Sequence, residues 1–356
     1  RQRQMCIRDS MEGWDDMSQT LNRLAEGADL ILTGTTYQEV AANVAEANGI
    51  PFTSLQYFPV RANDHVLPFR LPEPVVNRVW AAAEWGYWRL IKPAYDAQRA
   101  SLGLPEVRVR AARHMMEQGA LEIQGYDQVF FPGLADKWRG RRPVVGALTL
   151  ESATPADEAV TSWIHAGRPP LYFGFGSMKV DNAREVMTMI THVCHELGER
   201  AVICSGSLAI EGSVSSDDFI VVPAVSHAKI FPLCRAIIHH GGAGTTAASV
   251  RSGVPTLVLW IGAEQPIWGA QVRRLGVGTS RRLKDTTAEK LLKDLHTVLG
   301  TRCVARAREV AAQITPLRDS LALTARILEE RAASGPPLLT GRPHEPSLPV
   351  VDTQCG

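Results

Sequence analysis

The 356-residue chain lacks an excess of either charge. Its 38 lysines and arginines meet 37 aspartates and glutamates, for a formal net charge of +1. A nucleic-acid partner or a polybasic membrane anchor needs concentrated basic surface, and this balance argues against both. No apolar run approaches the roughly 20 residues that cross a bilayer, and no signal-peptide core is present. The six cysteines, at 6, 194, 204, 234, 303 and 355, show no C-x-x-C spacing and no clustering. That pattern argues against a disulfide framework or structural zinc and for a reduced, cytoplasmic protein. Peripheral contact with the inner face of a membrane stays open. No D-x-D occurs, so a carboxylate pair bridging Mg²⁺ is not supported.

What the chain does have is core-forming material, 45% hydrophobic residues against 21% charged, enough for two domains. From Gly167 onward strands and helices alternate. "LYFGFGS", "AVICS", "FIVVP", "AIIHH" and "TLVLW" read as strands. Helices are expected at about 182–198 (with Asp181 as N-cap), 245–252 and 266–275, and then at 287–299, 302–314 and 318–334. Such alternation predicts a parallel sheet covered on both faces. The first half follows the same logic less completely. "ADLILTG" and "FTSLQYF" read as strands around a helix at 36–48. A long helical stretch over 74–100 carries Trp80, Trp85, Tyr87 and Trp88, read mostly as core. "DQVFFPG" and "PVVGAL" read as two late strands. The expected organisation is an extraneous or disordered start over 1–10 and a partial first domain over 11–150. A linker over 151–166, a second domain over 167–334 and a disordered tail over 335–356 follow.

One loop carries chemistry. "IIHHGGAGTTAASVRSGVPTLVLW" runs from Ile237 to Trp260, a strand, a glycine-rich turn, a helix start and a second strand. Unpaired N–H groups and the helix dipole make such a start an anion site. Gly241, Gly242 and Gly244 permit close backbone approach. Thr245 and Thr246 offer hydroxyls, and His240 offers a ring N–H. A Walker A loop is excluded, because no Lys-Ser/Thr follows the glycines. Gly242-Ala243-Gly244-Thr245-Thr246-Ala247 does fit the dinucleotide pattern, with Glu264 at a suitable distance for a ribose. That fingerprint usually opens its domain, however, and here at least three strands precede it. A nucleoside diphosphate sugar is the third reading. It accounts for His240 beside a diphosphate leaving group and for Glu264-Gln265, a carboxylate and an amide suited to sugar hydroxyls.

The segment "HHGGAGTTAASVRSGVPTLVLWIGAEQPIWGAQVRRLGVG" resembles the donor-binding signature of the UDP-sugar glycosyltransferases of the GT-B fold. The sterol-glucosyltransferase type and the antibiotic and glycolipid glycosyltransferases are the most similar branches. "PPLYFGFGSM", "VVPAVSHAKIFP" and "AANVAEANGIPFTSLQYFP" support the resemblance, which covers roughly 25–330. It implies an α/β chain of two Rossmann-like domains whose parallel sheets face across a cleft, the first domain being incomplete. It implies that His240, Gly241, Gly242, Ala243, Gly244, Thr245 and Thr246 hold the diphosphate. Glu264 and Gln265 would bind the sugar, and Ser177, Ala224 and Val225 the nucleoside. It implies an inverting, metal-independent transfer of a hexose, from UDP-glucose or a deoxythymidine analogue, to a hydroxyl of a lipophilic acceptor. No cofactor is expected. The family's catalytic histidine lies on an opening loop that nothing upstream of Leu30 matches. His65 and His114 are the only histidines of the first domain and neither follows an opening strand, so an absent general base is expected. A nucleotide-sugar-binding fragment without catalysis and an NAD(P)-dependent oxidoreductase are the competing readings.

Overall fold

The computed structural model describes residues 2–66, 72–138, 140–150, 152–177, 182–206 and 214–335. Packing divides the chain into two units. The first takes the chain up to residue 128, 132–145 and the stretch from 318 onward; the second takes 129–131 and 146–317.

In the first unit, helix α1 (Gln2–Leu24) precedes β1 (Ile31–Thr33), α2 (Gln38–Asn48), β2 (Phe52–Gln56), α3 (Glu73–Ser101), α4 (Ala111–Glu117), β3 (Leu121–Gln124) and a short α5 (Leu134–Lys137). The three strands form one parallel sheet in the order β1-β2-β3. Residues 2–10, in the stretch expected to be an extraneous or disordered start, continue helix α1. They contain neither glycine nor proline and are rich in good helix formers, and the helix they extend buries Trp14 beside Val40, Trp88 and Tyr95.

Two expected strands are not there. "DQVFFPG" is a 3₁₀ turn at Gln128–Phe130. Its rings explain why: consecutive Phe130 and Phe131 both meet Trp268, at 5.1 and 5.6 Å, whereas a strand would send them to opposite faces. "PVVGAL" is reduced to a single bridge between Gln124 and Val144. The strand that does form, "LEIQ", is half polar and so escapes a hydrophobicity reading. Glu122 is buried there between Arg61 and Arg142, and Gln124 accepts from Tyr126 Oη at 2.8 Å. Of the four aromatics at 80–88 only Trp88 is buried; further along α3, Tyr95 is buried as well. Trp85 is 57% exposed and Tyr87 49%.

The second unit opens with α6 (Asp157–His165), inside the stretch expected to be a linker. Asp157 ties it down: it is 2% exposed and accepts from Ser226 N, Thr154 N and Thr154 Oγ1 at 2.7–2.9 Å. Then come β4 (Leu171–Gly174), α7 (Ala183–Leu197), β5 (Ala201–Cys204), β6 (Val214–Ser215), β7 (Phe219–Val222), α8 (His227–Ile230), β8 (Ala236–His239), α9 (Ala243–Arg251), β9 (Thr256–Trp260), α10 (Gln265–Leu275), β10 (Gly278–Arg282), α11 (Ala288–Val298) and α12 (Thr301–Ala311). Asn182 stands at the N-cap position of α7 without a side-chain cap bond, and the expected cap Asp181 lies outside the described residues. The sheet order is β10-β9-β8-β4-β5-β7-β6, parallel except at β6–β7. Period two divides β4 between two cores. Leu171 and Phe173 pack with α7 and α11 on one face, and Tyr172 packs with α6 and α8 on the other. Strand β10, "GTSRR", is not among the expected strands; it is half-buried along its length at the sheet edge, where polar residues are tolerated. The last helix, α13 (Leu317–Ala333), falls almost wholly in the first unit, not the second. The expected disordered tail lies outside the described residues beyond residue 335.

The first unit carries an open pocket of about 560 Å³ lined by Ala45, Phe52, Met115, Glu46, Arg99 and His114, among others. Arg99 is 1% exposed and grips Glu46 at 2.6 and 2.9 Å, while His114 Nε2 lies 3.0 Å from the same carboxylate. Burial alone would raise the Glu46 carboxyl; its bonds from Arg99 and His114 overcome that and hold it at about 2. A folded value below the ordinary 4.5 stabilises the fold fully above pH 4.5, and that stabilisation is lost as pH falls toward 2. Glu46→Gln should cost about 3 kcal/mol at neutral pH, because it strands a buried guanidinium. Melting curves from pH 6 to pH 2 should show the gap to wild type closing; a gap independent of pH would refute the assignment.

Candidate functional site

Strand β4 lies between β5 and β8, and the chain leaves these neighbours toward opposite sides. From β4 it crosses through α7 to β5; from β8 it crosses through α9 to β9. Helix α7 packs on one face of the sheet, and Ala248 of α9 packs against the core of the other. Diverging connections leave a crevice beyond the carboxyl ends of the two strands, the usual ligand position in an open α/β sheet. Here it has a volume of about 480 Å³ and is lined by Gly174, Gly176, Ser177, Cys204, His240 and Thr245, with Pro223, Ala224, Val225 and His227 on the β7 side.

The β8–α9 loop forms the anionic end. Gly242 is the N-cap of α9 with extended backbone and no side-chain cap. The first helical bond that closes is Thr246 N to Gly242 O, at 2.9 Å. Ala243, Gly244 and Thr245 therefore present N–H groups without intrahelical acceptors, at the positive end of the helix dipole. The His240 ring sits against Gly176 and Gly242. A Cβ on Gly176 would come within 2.7 Å of Cε1, and one on Gly242 within 2.6 Å of Nε2. Burial lowers the His240 pKa, against the Gly174 backbone and the Glu264 carboxylate, which pull upward. The ring is thus neutral near pH 7 and has one N–H to give.

Several expected residues meet in this crevice, and two have other work. His240, Thr245, Ser177, Ala224 and Val225 line it together. Thr246 does not offer its hydroxyl: the residue is fully buried and Oγ1 donates to Gly242 O at 2.9 Å. Gln265 is 2% exposed, and its Oε1 accepts from Ile261 N at 2.8 Å and Gly262 N at 3.3 Å, so it shapes the β9–α10 turn. That turn passes through Ala263 at φ 54°, left-handed backbone that costs a non-glycine residue roughly 1–2 kcal/mol. It delivers Glu264, half-buried, to the start of α10. His239 is fully buried; its Nδ1 accepts from Gly241 N at 3.0 Å, and its Nε2 lies 3.4 Å from Ser249 Oγ. His114 belongs to the Glu46 pocket, and His65 is a half-buried loop residue whose N–H is held by Asn63.

Sequence reasoning missed His227. It stacks on Phe231, centroids 4.3 Å apart and planes at 16°, with Nε2 3.4 Å from Tyr172 Oη. Burial first, and then His240, brings its pKa down to about 4. The signal was its place two residues after Val225, in a segment already marked as nucleoside-facing. Among the described residues no cluster of three or more His, Cys, Asp or Glu is arranged to hold a metal ion. Nor is any described helix long and apolar enough to cross a membrane.

The chain is similar to known proteins in agreement with this geometry. A family described as "Erythromycin biosynthesis protein CIII-like, C-terminal domain" has a model that matches residues 207–321. An uncharacterized glycosyltransferase of Mycobacterium tuberculosis is 53% identical over 322 residues, which cover 90% of this chain and 78% of the relative. A sterol 3-beta-glucosyltransferase of Arabidopsis thaliana is 30% identical over 250 residues, 67% of this chain and 38% of the relative. In fold, the glycosyltransferase of kitacinnamycin superposes with a TM-score of 0.67 at 17% identity, covering 90% of this chain and 82% of that one. The glycosyltransferase VinC, solved in complex with dTDP, superposes with a TM-score of 0.57 at 17% identity, covering 92% and 81%.

Two glycines of the loop should respond oppositely to alanine. Gly241 has φ +90° and its Cβ would lie 2.6 Å from Val258 Cγ1, whereas a Cβ on Gly244 would meet nothing within 4 Å. Gly241→Ala should cost about 2–3 kcal/mol through strain and overpacking. Gly244→Ala should be neutral or gain about 0.5 kcal/mol from helix propensity. Denaturant titration of both variants checks this, and equal stabilities would contradict the loop geometry.

Proposed function

This chain belongs to the GT-B glycosyltransferase family, and from that premise we propose that it moves a hexose from a nucleoside diphosphate sugar, UDP-glucose by first preference, to a hydroxyl of a lipophilic acceptor. The observation that carries the donor half is the crevice lined together by the neutral His240, Ser177 and Thr245 of the uncapped first turn of α9. Such a site suits a diphosphate at one end and a nucleoside at the other. The nucleoside would lie along Ala224 and Val225, with the His227–Phe231 stack as a flat apolar wall. Glu264 would accept hydrogen bonds from sugar hydroxyls, while Gln265 acts by holding the turn that presents it.

In the proposed reaction the acceptor oxygen attacks the anomeric carbon from the face opposite the diphosphate. The bond between that carbon and the diphosphate oxygen breaks with its electron pair, which inverts the anomeric centre. The acceptor proton passes to a general base, help worth about 10²–10⁴-fold. Negative charge grows on the departing oxygen, to which the α9 N–H groups and His240 would donate. Preorganised donors of this kind stabilise charge without reorganising during reaction. They stabilise the diphosphate without a metal, so EDTA should leave the rate unchanged. The lipophilic acceptor class rests on the resemblance to sterol and natural-product enzymes; the apolar residues exposed on α3 are compatible with it.

Calorimetry with UDP, dTDP and NAD tests the donor half. UDP or dTDP should bind and NAD should not; tight NAD binding with neither nucleotide binding would sink the proposal in favour of an oxidoreductase. His240→Ala should weaken nucleotide binding by about 1–3 kcal/mol, the value of a charge-assisted hydrogen bond. An unaltered affinity would remove its assigned role. Release of glucose from UDP-glucose, with the product anomer read by NMR, separates an active transferase from a binding fragment.

A further inference from the structure

We propose that His239, the fully buried histidine beside the crevice, is a positioning residue whose Nδ1 holds the phosphate-binding loop in its open form. The inference rests on the functional reading above for what the loop holds, and on geometry alone for the clamp.

The hydrogen bonds around His239 admit one tautomer. Gly241 N–H donates to Nδ1 at 3.0 Å, so Nδ1 carries no proton. Nε2 must then carry it, and it faces Ser249 Oγ at 3.4 Å. Ser249 Oγ spends its own proton on Thr246 O at 2.9 Å, which leaves it an acceptor toward Nε2. Thr246 closes the circuit by donating from both N and Oγ1 to Gly242 O at 2.9 Å. The ring thus ties the start of the loop to the second turn of α9. Burial holds the imidazole well below its ordinary pKa, in keeping with an acceptor at Nδ1.

The clamp acts at the residue that most needs it. Gly241 has φ +90°, a conformation in which its N–H points back into the protein, toward β8. Bound to Nδ1, that N–H is satisfied inside, and the chain turns so that the next free donors are those of Ala243, Gly244 and Thr245. Without an acceptor at Nδ1, Gly241 N–H would be a buried orphan, and the loop could relieve it only by rotating away from its present form. His240, one residue on, would move with it. His239 does not itself line the crevice; its ring lies edge-on to His240, centroids 6.3 Å apart, and its hydrogen bond acts through Gly241.

Isosteric substitutions separate this role from simple packing. Asn at 239 places Oδ1 where Nδ1 stands and keeps the acceptor for Gly241. Gln places its amide near Nε2 and keeps the donor for Ser249 while losing that acceptor. Leu fills the space and keeps neither. Nucleotide affinity, melting temperature and amide exchange at Gly241 by NMR should be measured for His239→Asn, His239→Gln and His239→Leu. We expect His239→Asn to retain UDP or dTDP affinity within about threefold and to keep Gly241 protected. His239→Gln and His239→Leu should bind about tenfold more weakly and lose that protection, whatever their melting temperatures.

If Gln binds like wild type, if Asn binds as weakly as Leu, or if affinity simply follows melting temperature, the positioning role is overturned. If wild type binds neither nucleotide, the functional reading fails and the positioning role with it, while Gly241 protection still reports whether the clamp exists. Loss of protection in His239→Asn, with wild type protected, would overturn the clamp itself.

Discussion

The unpaired N–H groups at the start of α9 are the feature on which the rest of the second unit depends. A helix start buried without partners is costly, and this one is uncapped because its position leaves it facing a crevice. That position follows from sheet order. With β4 between β5 and β8, and with connections diverging from β4 and β8, a crevice opens beyond the carboxyl ends of these strands. Two glycine-containing loops meet there, and their lack of side chains makes room for one imidazole between them. The crevice is therefore a product of topology first and of residue chemistry second.

Around it, polar side chains divide into those that face the crevice and those that hold it. His240, Ser177 and Thr245 line it. His239, Ser249, Thr246 and Gln265 are buried and satisfy backbone groups of the adjoining loops. The neighbouring pairs His239-His240 and Thr245-Thr246 each split between the two tasks. Along a strand the split follows from alternation. At the start of α9 it follows from the turn of about 100° per residue, which sends one member outward and the next into the core. Both units bury charge in ion pairs, Glu46 with Arg99 and Glu122 with Arg61 and Arg142 in the first, Glu199 with Arg235 and Asp294 with Arg281 in the second. The inner strands of the second unit are almost wholly apolar, as parallel strands covered on both faces must be.

Much of this was legible in the residues. The second unit's principal strands and long helices follow from apolar runs and helical periodicity, and the glycine-rich loop from its composition. Legibility failed where burial was polar or where rings decided the backbone. "LEIQ" is a strand because arginines satisfy Glu122. "DQVFFPG" is not, because two adjacent phenylalanines close on one tryptophan. "GTSRR" pairs at a sheet edge, where no hydrophobic pattern is required. The stretch around Asp157 looked like a linker because the partners of that carboxylate lie up to 69 residues away.

The sequence by itself determined the class of the protein and the chemistry of its loop, because glycine, histidine and threonine at that spacing can serve few ligands other than an anion. It also determined that the loop comes late in its domain, which weighed toward a nucleoside diphosphate sugar over a dinucleotide. Only the tertiary structure decided which member of each polar pair meets the crevice. Side-chain direction depends on where a strand ends and a helix begins, to within one residue, and on distant groups that accept or donate. His227 and His239 show the reason most plainly. Composition made them two more histidines; the packing of Phe231 and the backbone of Gly241 gave them places in the site and behind it.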